Sequence, residues 1–190
     1  RVKPTKVIKG LGWQDIDKEG RYIEAQFDGL SIISLYMHSG SASEERQQIK
    51  FDFMQRFGDY MKSLRRKRRE YIICGDWNIV HKEIDIKNWK GNQKNSGCLP
   101  EERDWLDLVF SDGEHKKNGL GFVDGFRVVN QQAEQYTWWS NRGNARANNV
   151  GWRIDYQIIT PKLKDTVRAA DVFKGEWYSD HAPLTIDYDY

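Results

Sequence analysis

Three short polar stretches stand where apolar, extended segments give out. Gly75-Asp76-Trp77-Asn78 closes the run Tyr71-Ile72-Ile73-Cys74, Gly151-Trp152-Arg153-Ile154-Asp155-Tyr156 opens another, and Ser179-Asp180-His181-Ala182-Pro183 precedes Leu184 to Tyr188. Each sets a carboxylate at a strand end or just inside a strand. Asp76 can orient or deprotonate a water, and the amide of Asn78 can hold a phosphate oxygen without adding negative charge. The same Asp and Asn are also ordinary turn residues. Asp155 lies in an otherwise apolar strand, Ile154 to Thr160, so it is either solvated near the strand end or buried and paired. His181 is a candidate partner, because a carboxylate on one imidazole nitrogen sets the tautomer and favours the cationic ring. An isolated Asp-His pair is usually a satisfied surface contact. Three carboxylates, an amide and a histidine at one sheet edge are the inventory for metal-assisted attack on a phosphodiester.

The elements that must hold these residues can be read from periodicity. Arg21 to Phe27 and Leu30 to Tyr36 are rich in strand formers, and Asp28-Gly29 between them is a hairpin turn signal. Ser41-x-x-Glu44 has the form of a capping box. It would open an amphipathic helix with Ile49, Phe53, Phe57, Tyr60, Met61 and Leu64 on one face. Arg65 to Arg69 then reads as a solvated helix C-terminus favoured by the dipole, with phosphate binding or a nuclear address as alternatives. A long polar loop covers His81 to Leu99. Pro100 starts a second helix with Glu101 and Glu102 in its first turn and Trp105, Leu108 and Val109 inward. Tyr136 to Trp139, Arg153 to Thr160, Thr166 to Val172 and Leu184 to Tyr188 are further strands. Trp105 and Phe122 read as core, Lys116-Lys117 as loop. His38, His81 and His115 have no evident carboxylate partner. Strands outnumber what a dinucleotide-binding pattern would show, which favours a layered α/β sandwich in one domain.

Composition limits the function without naming it. The chain has 190 residues, 38% hydrophobic and 31% charged, with a net charge of +2, so it does not advertise a polyanion partner as a whole. Eight Trp and nine Tyr offer flat surfaces for bases and sugars as well as core. Cys74 and Cys98 match no metal spacing and read as reduced thiols of a cytosolic protein. No apolar run approaches the ~18 residues of a membrane span, and no signal peptide is evident. Arg1-Val2-Lys3-Pro4 reads as the end of a strand, as in a chain whose first part is missing.

In this order, Gly75-Asp76-Trp77-Asn78, the run Asn148 to Tyr156 and Ser179-Asp180-His181 resemble the exonuclease III class of apurinic/apyrimidinic (AP) endonucleases. That class lies within the endonuclease/exonuclease/phosphatase superfamily. Residues 81–88, 90–97 and 99–103, Tyr136-Thr137-Trp138-Trp139 and Asn144-Ala145-Arg146 extend the likeness over nearly the whole chain. The resemblance implies a four-layered α/β sandwich, two packed mixed sheets flanked by helices, here without its N-terminal strands. Residues 1–190 would be the larger, C-terminal part of a single such domain. It also implies a Mg²⁺-dependent DNA-repair nuclease, with Mn²⁺ as an alternative ion. The reaction would be hydrolysis 5′ to an abasic site in duplex DNA, with 3′-5′ exonuclease or 3′ phosphatase activity beside it.

On the same basis Asp76 would activate the attacking water and Asn78 would bond the scissile phosphate. Asp155 would orient His181, whose other nitrogen would face a phosphate oxygen, and Tyr36 would place its hydroxyl nearby. Asp76, Asn78, Asp180 and His181 would form the metal side of the site. Trp138, Trp152 and Ile154 would accept a flipped-out abasic sugar. Arg21, Asn92 and Asn95 would contact DNA backbone, and Arg142 would enter the helix. The partner would be duplex DNA with abasic sites or 3′ ends, bound by a monomer away from any membrane, in the cytoplasm or, in a eukaryote, the nucleus. Two departures stand out. His38 and Ser39 replace the family's proline and amide after its tyrosine, and the family's leading Asn and metal-binding glutamate are absent from these 190 residues. The fragment alone would then be inactive. The alternatives are a catalytically incomplete DNA-binding module and a superfamily phosphatase for another phosphoester.

Overall fold

A computed structural model describes residues 2–112 and 119–190. In chain order the elements are β1 (Lys6–Lys9), α1 (Gln14–Asp17), β2 (Tyr22–Gln26), β3 (Leu30–Tyr36), α2 (Glu44–Leu64) and β4 (Glu70–Asp76). They continue with α3 (Trp89–Asn92), α4 (Pro100–Phe110), β5 (Val123–Asp124), α5 (Gly125–Val129) and β6 (Trp138–Trp139). The chain closes with β7 (Gly151–Trp152), β8 (Asp155–Ile159), β9 (Val167–Val172) and β10 (Leu184–Tyr188). A six-stranded mixed sheet runs β1-β2-β3-β4-β8-β5, and β9 pairs with β10, β6 with β7.

Alternation along β3 buries Ser31, Ile33 and Leu35 on one face and leaves Ile32 and Tyr36 on the other. The buried face meets α2, whose Phe53, Phe57, Met61 and Leu64 recur at helical spacing, and α4, through Leu106 and Val109. Burying side chains of this size contributes roughly 1.5–3 kcal/mol each. On the opposite face Ile72 and Ile159 pack with Leu163 and Val167, so the β9–β10 ribbon covers the β4–β8 end of the sheet. Val7, Ile23 and Ile32, toward the other end, are exposed. Helices, mixed sheet and ribbon are layered as the α/β sandwich class requires.

Several local expectations are corrected. The N-cap of α2 is Ser43, whose hydroxyl accepts from Arg46 N, while Ser41 bonds Ser39 instead. Position 46 is Arg, so no reciprocal acid completes a box. Residues 2–4 are not strand, and β1 begins at Lys6. In α4, Leu106 and Val109 are the fully buried pair, with Trp105 and Leu108 half-buried at the margin. Arg65 to Arg68 are exposed, but Arg69 is half-buried and donates to Phe27 O and Leu30 O, pinning the β2–β3 hairpin. The polar stretch 81–99 contains a 3-10 turn, Glu83–Asp85, and α3. His115 and Lys116-Lys117 lie outside the described residues.

Candidate active site

The site is assembled by strand register. Tyr36 pairs with Asp76 across parallel β3 and β4, and Asp76 pairs with Asp155 across antiparallel β4 and β8. The three side chains therefore stand in one row at the sheet edge. Gly75 makes this approach possible: its φ is +134°, and a Cβ there would lie 1.9 Å from Leu35 O. Only glycine lets β4 run this close to β3 just before Asp76.

Behind the row, His181 Nδ1 lies 2.8 Å from Asp155 Oδ2. The backbone amides of Ile154 and Asp155 both donate to Thr137 Oγ1, and Trp138 is bridged to His181, so the segment bearing the histidine is stitched to β8. Asp76 accepts from Asn78 N at 2.8 Å through one oxygen and from Asn78 Nδ2 at 2.9 Å through the other. The same Nδ2 donates to Met37 O at 2.9 Å. Two acceptors facing that atom settle the amide orientation, and both amide hydrogens are engaged. Asn78 thus orients Asp76 through both its backbone and its side-chain amide.

Electrostatics distinguish the members of the row. Burial, reinforced by the charge of Asp155, pushes the Asp76 carboxyl up to about 7, against smaller opposing effects of Asn78, His181 and Lys50. Burial disfavours the imidazolium of His181, but the Asp155 hydrogen bond and the charges of Asp155, Asp76 and Asp180 outweigh it, so His181 lies above its ordinary value.

An open cleft of about 990 Å³ lies over the row, lined by Tyr36, Asp76, Asn78, Asn95, Trp138, Arg142, Trp152, Ile154, Asp180 and His181. Trp138 and Trp152 meet edge to face, with centroids 6.0 Å apart, and Trp138 Nε1 donates to Asp180 Oδ2. Asp155 stands behind His181 and does not line this cleft. Arg21 reaches it through Tyr36: its guanidinium lies 4.8 Å from the Tyr36 ring centroid, and it donates to Tyr36 O. Asn92 lines a separate hollow with Lys87 and Trp89 and accepts from Asn95 Nδ2. It supports Asn95 rather than sharing the cleft.

Other polar groups were not foreseen from sequence. Arg153, fully buried, forks onto Asp85 and also bonds Asp124, while Arg127 donates to Asp85 as well. This clamp holds residues 82–86 against the segment between Trp152 and Asp155 that joins β7 to β8. His81, expected to lack a carboxylate, lies 2.8 Å from Asp107. His38 is fully buried with neither ring nitrogen hydrogen-bonded, and burial brings it down to about 4. Cys74 and Cys98 are free thiols, both pushed up by burial.

Among the described residues, no group of three or more His, Cys, Asp or Glu side chains is arranged to hold a metal ion. Asp76 and Asp180 nonetheless present carboxylates to one cleft, each with lone pairs beyond those their protein donors use. That suits a hard cation such as Mg²⁺, which takes one or two protein carboxylates and keeps several waters. Among the described residues, no helix is long and apolar enough to cross a membrane.

Residues 1–181 match the Endonuclease/Exonuclease/phosphatase family. The chain belongs to that family. It is 34% identical over 187 residues to an exodeoxyribonuclease of Bacillus subtilis, covering 98% of this chain and 71% of that protein. It is 35% identical over 187 residues to the DNA repair nuclease APEX1 of Danio rerio, covering 98% of this chain and 57% of the relative. Among solved structures, an AP endonuclease from Archaeoglobus fulgidus superposes with a TM-score of 0.82 at 26% identity, over 99% of this chain and 72% of that one. This family of nucleases and phosphatases accounts for the layered α/β fold and for a cleft at the ends of β3, β4 and β8.

Proposed function

We propose that this chain carries the cleft of a DNA-repair nuclease that hydrolyses the phosphodiester 5′ to an abasic site in duplex DNA. The reading extends to 3′-5′ exonuclease or 3′ phosphatase action by the same groups. The observation that carries it is the row Tyr36, Asp76 and Asp155 with His181 bonded to Asp155, beneath a cleft walled by Trp138, Trp152 and Ile154. The names of the Bacillus and zebrafish relatives support the DNA substrate.

Each residue then has a task set by its environment. Asp76, its carboxyl raised by burial beside Asp155, is the general base for water, and Asn78 keeps its oxygens aimed. His181, whose imidazolium the Asp155 contact favours, donates to a phosphate oxygen and stabilises the charge that develops there. Tyr36 offers a second hydroxyl donor, its ring backed by Arg21. Asp76 and Asp180 are the oxygen donors for a divalent cation, Mg²⁺ or Mn²⁺, which when bound neutralises phosphate charge. Trp138, Trp152 and Ile154 form the wall for an extruded sugar, whose flipping costs least where no base is paired. Asn95, on the exposed rim, contacts backbone, and Arg142, exposed beside it, reaches into the duplex.

The decisive experiment is cleavage of a duplex carrying one abasic-site analogue, with Mg²⁺ and with EDTA. The 190 residues alone are expected to cleave weakly or not at all, and a chain extended at its N-terminus to the relatives' length to nick 5′ to the lesion only with metal. An extended chain that binds the duplex and never cuts it would instead favour a recognition module, and one that cuts only small phosphoesters a phosphatase.

A further inference from the structure

We propose that Lys50 and Glu102, buried behind the cleft, are positioning residues that hold Asn78, and through it Asp76, in working geometry. Neither side chain has any exposed area. Lys50 Nζ donates to Glu102 Oε1 at 2.5 Å and to Asn78 O at 2.8 Å. The same Glu102 oxygen accepts from Gln47, and its other oxygen accepts from Leu99 N at the start of α4. One ion pair therefore ties α2, the turn after β4 and the head of α4 to a single point.

Stability gives little reason for a charge pair in this place. Lys50 sits on the buried face of α2 beside Phe53 and Met54, where an apolar side chain would serve. Taking two charges out of water is costly, and exchanging a buried pair for apolar groups is often neutral. What an apolar residue could not do is donate to Asn78 O. Asn78 has a φ of +51°, a left-handed conformation that non-glycine residues seldom adopt. That conformation turns its carbonyl inward, against Gly97, where a Cβ would come within 3.0 Å of the oxygen. Val80 N, two residues on, donates to Gly97 O. The outward side of the same residue supplies the two hydrogen bonds that aim Asp76. Without a donor the buried carbonyl would be left unpaired, and the turn would relax away from the conformation that points Asn78 at Asp76.

The test compares Lys50→Met, the double variant Lys50→Met/Glu102→Gln, and Met61→Ala as a control buried on the same helix but farther along it. Melting temperature and site-resolved amide exchange are measured for each, and cleavage kinetics in the full-length protein. The double variant, which leaves no lone buried charge, should recover most of the melting temperature lost in Lys50→Met. It should still exchange the Asn78 and Val80 amides about tenfold faster than wild type and lower kcat by about tenfold or more with KM little changed. Met61→Ala should lower the melting temperature and leave those amides and kcat in place. Wild-type exchange and kcat in the double variant would overturn the proposal. So would a Met61→Ala control that moves the same readouts equally, or Lys50 variants that fail to fold where Met61→Ala folds. The kinetic arm rests on the proposed nuclease function. A wild-type protein that cuts no DNA, with the exchange pattern intact, would remove that function and leave the positioning role standing.

Discussion

Asp76 and Asp155 face each other across antiparallel β4 and β8, at the last register position of that pair. The two carboxylates have opposite fates. Asp155 finds a hydrogen-bond partner in His181, 2.8 Å away, while Asp76 is left with Asn78 as its hydrogen-bond donor and a carboxylate neighbour, and rises to about 7.

Asp76→Asn should therefore slow cleavage strongly and stabilise the fold at neutral to alkaline pH. Because the folded pKa of Asp76 is above the unfolded value of 3.8, the native state holds the proton more tightly, and stability declines as pH rises from about 4 through about 7. The variant escapes that decline. Its melting temperature should exceed wild type at about pH 8 and converge with it toward about pH 4. Loss of the general base should cost about 10²–10⁴ in kcat. A variant less stable than wild type at alkaline pH would contradict the assignment.

Asp155→Asn removes the carboxylate that raises His181. The His181 pKa, followed by NMR of the ring protons, should fall from its raised position toward or below the ordinary value of 6.5. A raised histidine contributes stability that is present at low pH and lost as pH rises through its folded pKa, so this contribution should also vanish in the variant. An unchanged His181 titration would mean that the 2.8 Å contact does not govern the ring.

Gly75→Ala tests the backbone that delivers Asp76. A methyl group at φ +134° and 1.9 Å from Leu35 O cannot be accommodated without parting β3 from β4. The expected loss is about 3 kcal/mol or more in denaturant unfolding, combining strain and clash. A change near zero would mean the strand ends are looser than this register implies.

Arg153→Met should destabilise by about 3–5 kcal/mol, because it takes the buried guanidinium from Asp124 and leaves Asp85 with Arg127 alone. Burial alone would raise Asp85, yet Arg153 and Arg127 hold it down to about 2. A depressed carboxyl contributes stability above its unfolded value of 3.8 that is lost as pH falls toward about 2. Acid unfolding of wild type should steepen in that window, and Asp85→Asn should flatten it.

Arg142→Ala should leave the melting temperature unchanged, since Arg142 is exposed and its backbone N bonds Ser140. Its affinity for duplex DNA should fall, and the slope of log affinity against log salt should shrink by about one if it pairs with a phosphate. A slope that stays the same with weaker binding would assign it a contact to a base or groove.

Much of this protein is legible along the chain because the signals are local. Period-two alternation in residues 30–36 and helical spacing of Phe53, Phe57, Met61 and Leu64 reflect faces that must each meet a core, whatever the partner. Asp76, Asp155, Asp180 and His181 could be singled out because each sits where a strand meets a loop. The Ser43 cap was misplaced by two residues, since Ser41 and Ser43 carry equal capping chemistry and only the chain's path chooses between them.

What the sequence determined by itself was the family motifs, the α/β class and the residue types at the sheet edge, all of which depend on near neighbours. The tertiary structure alone decided how charges separated by tens of residues are paired. Lys50 meets Glu102 across 52 positions, Arg153 meets Asp85 across 68, and Asn78 places its side-chain amide between Met37 O and Asp76. A side chain's partner, and hence its pKa and its task, is set by which strand lies beside it and which water is removed. Those are properties of the packed sheet and its helices, not of any run of residues.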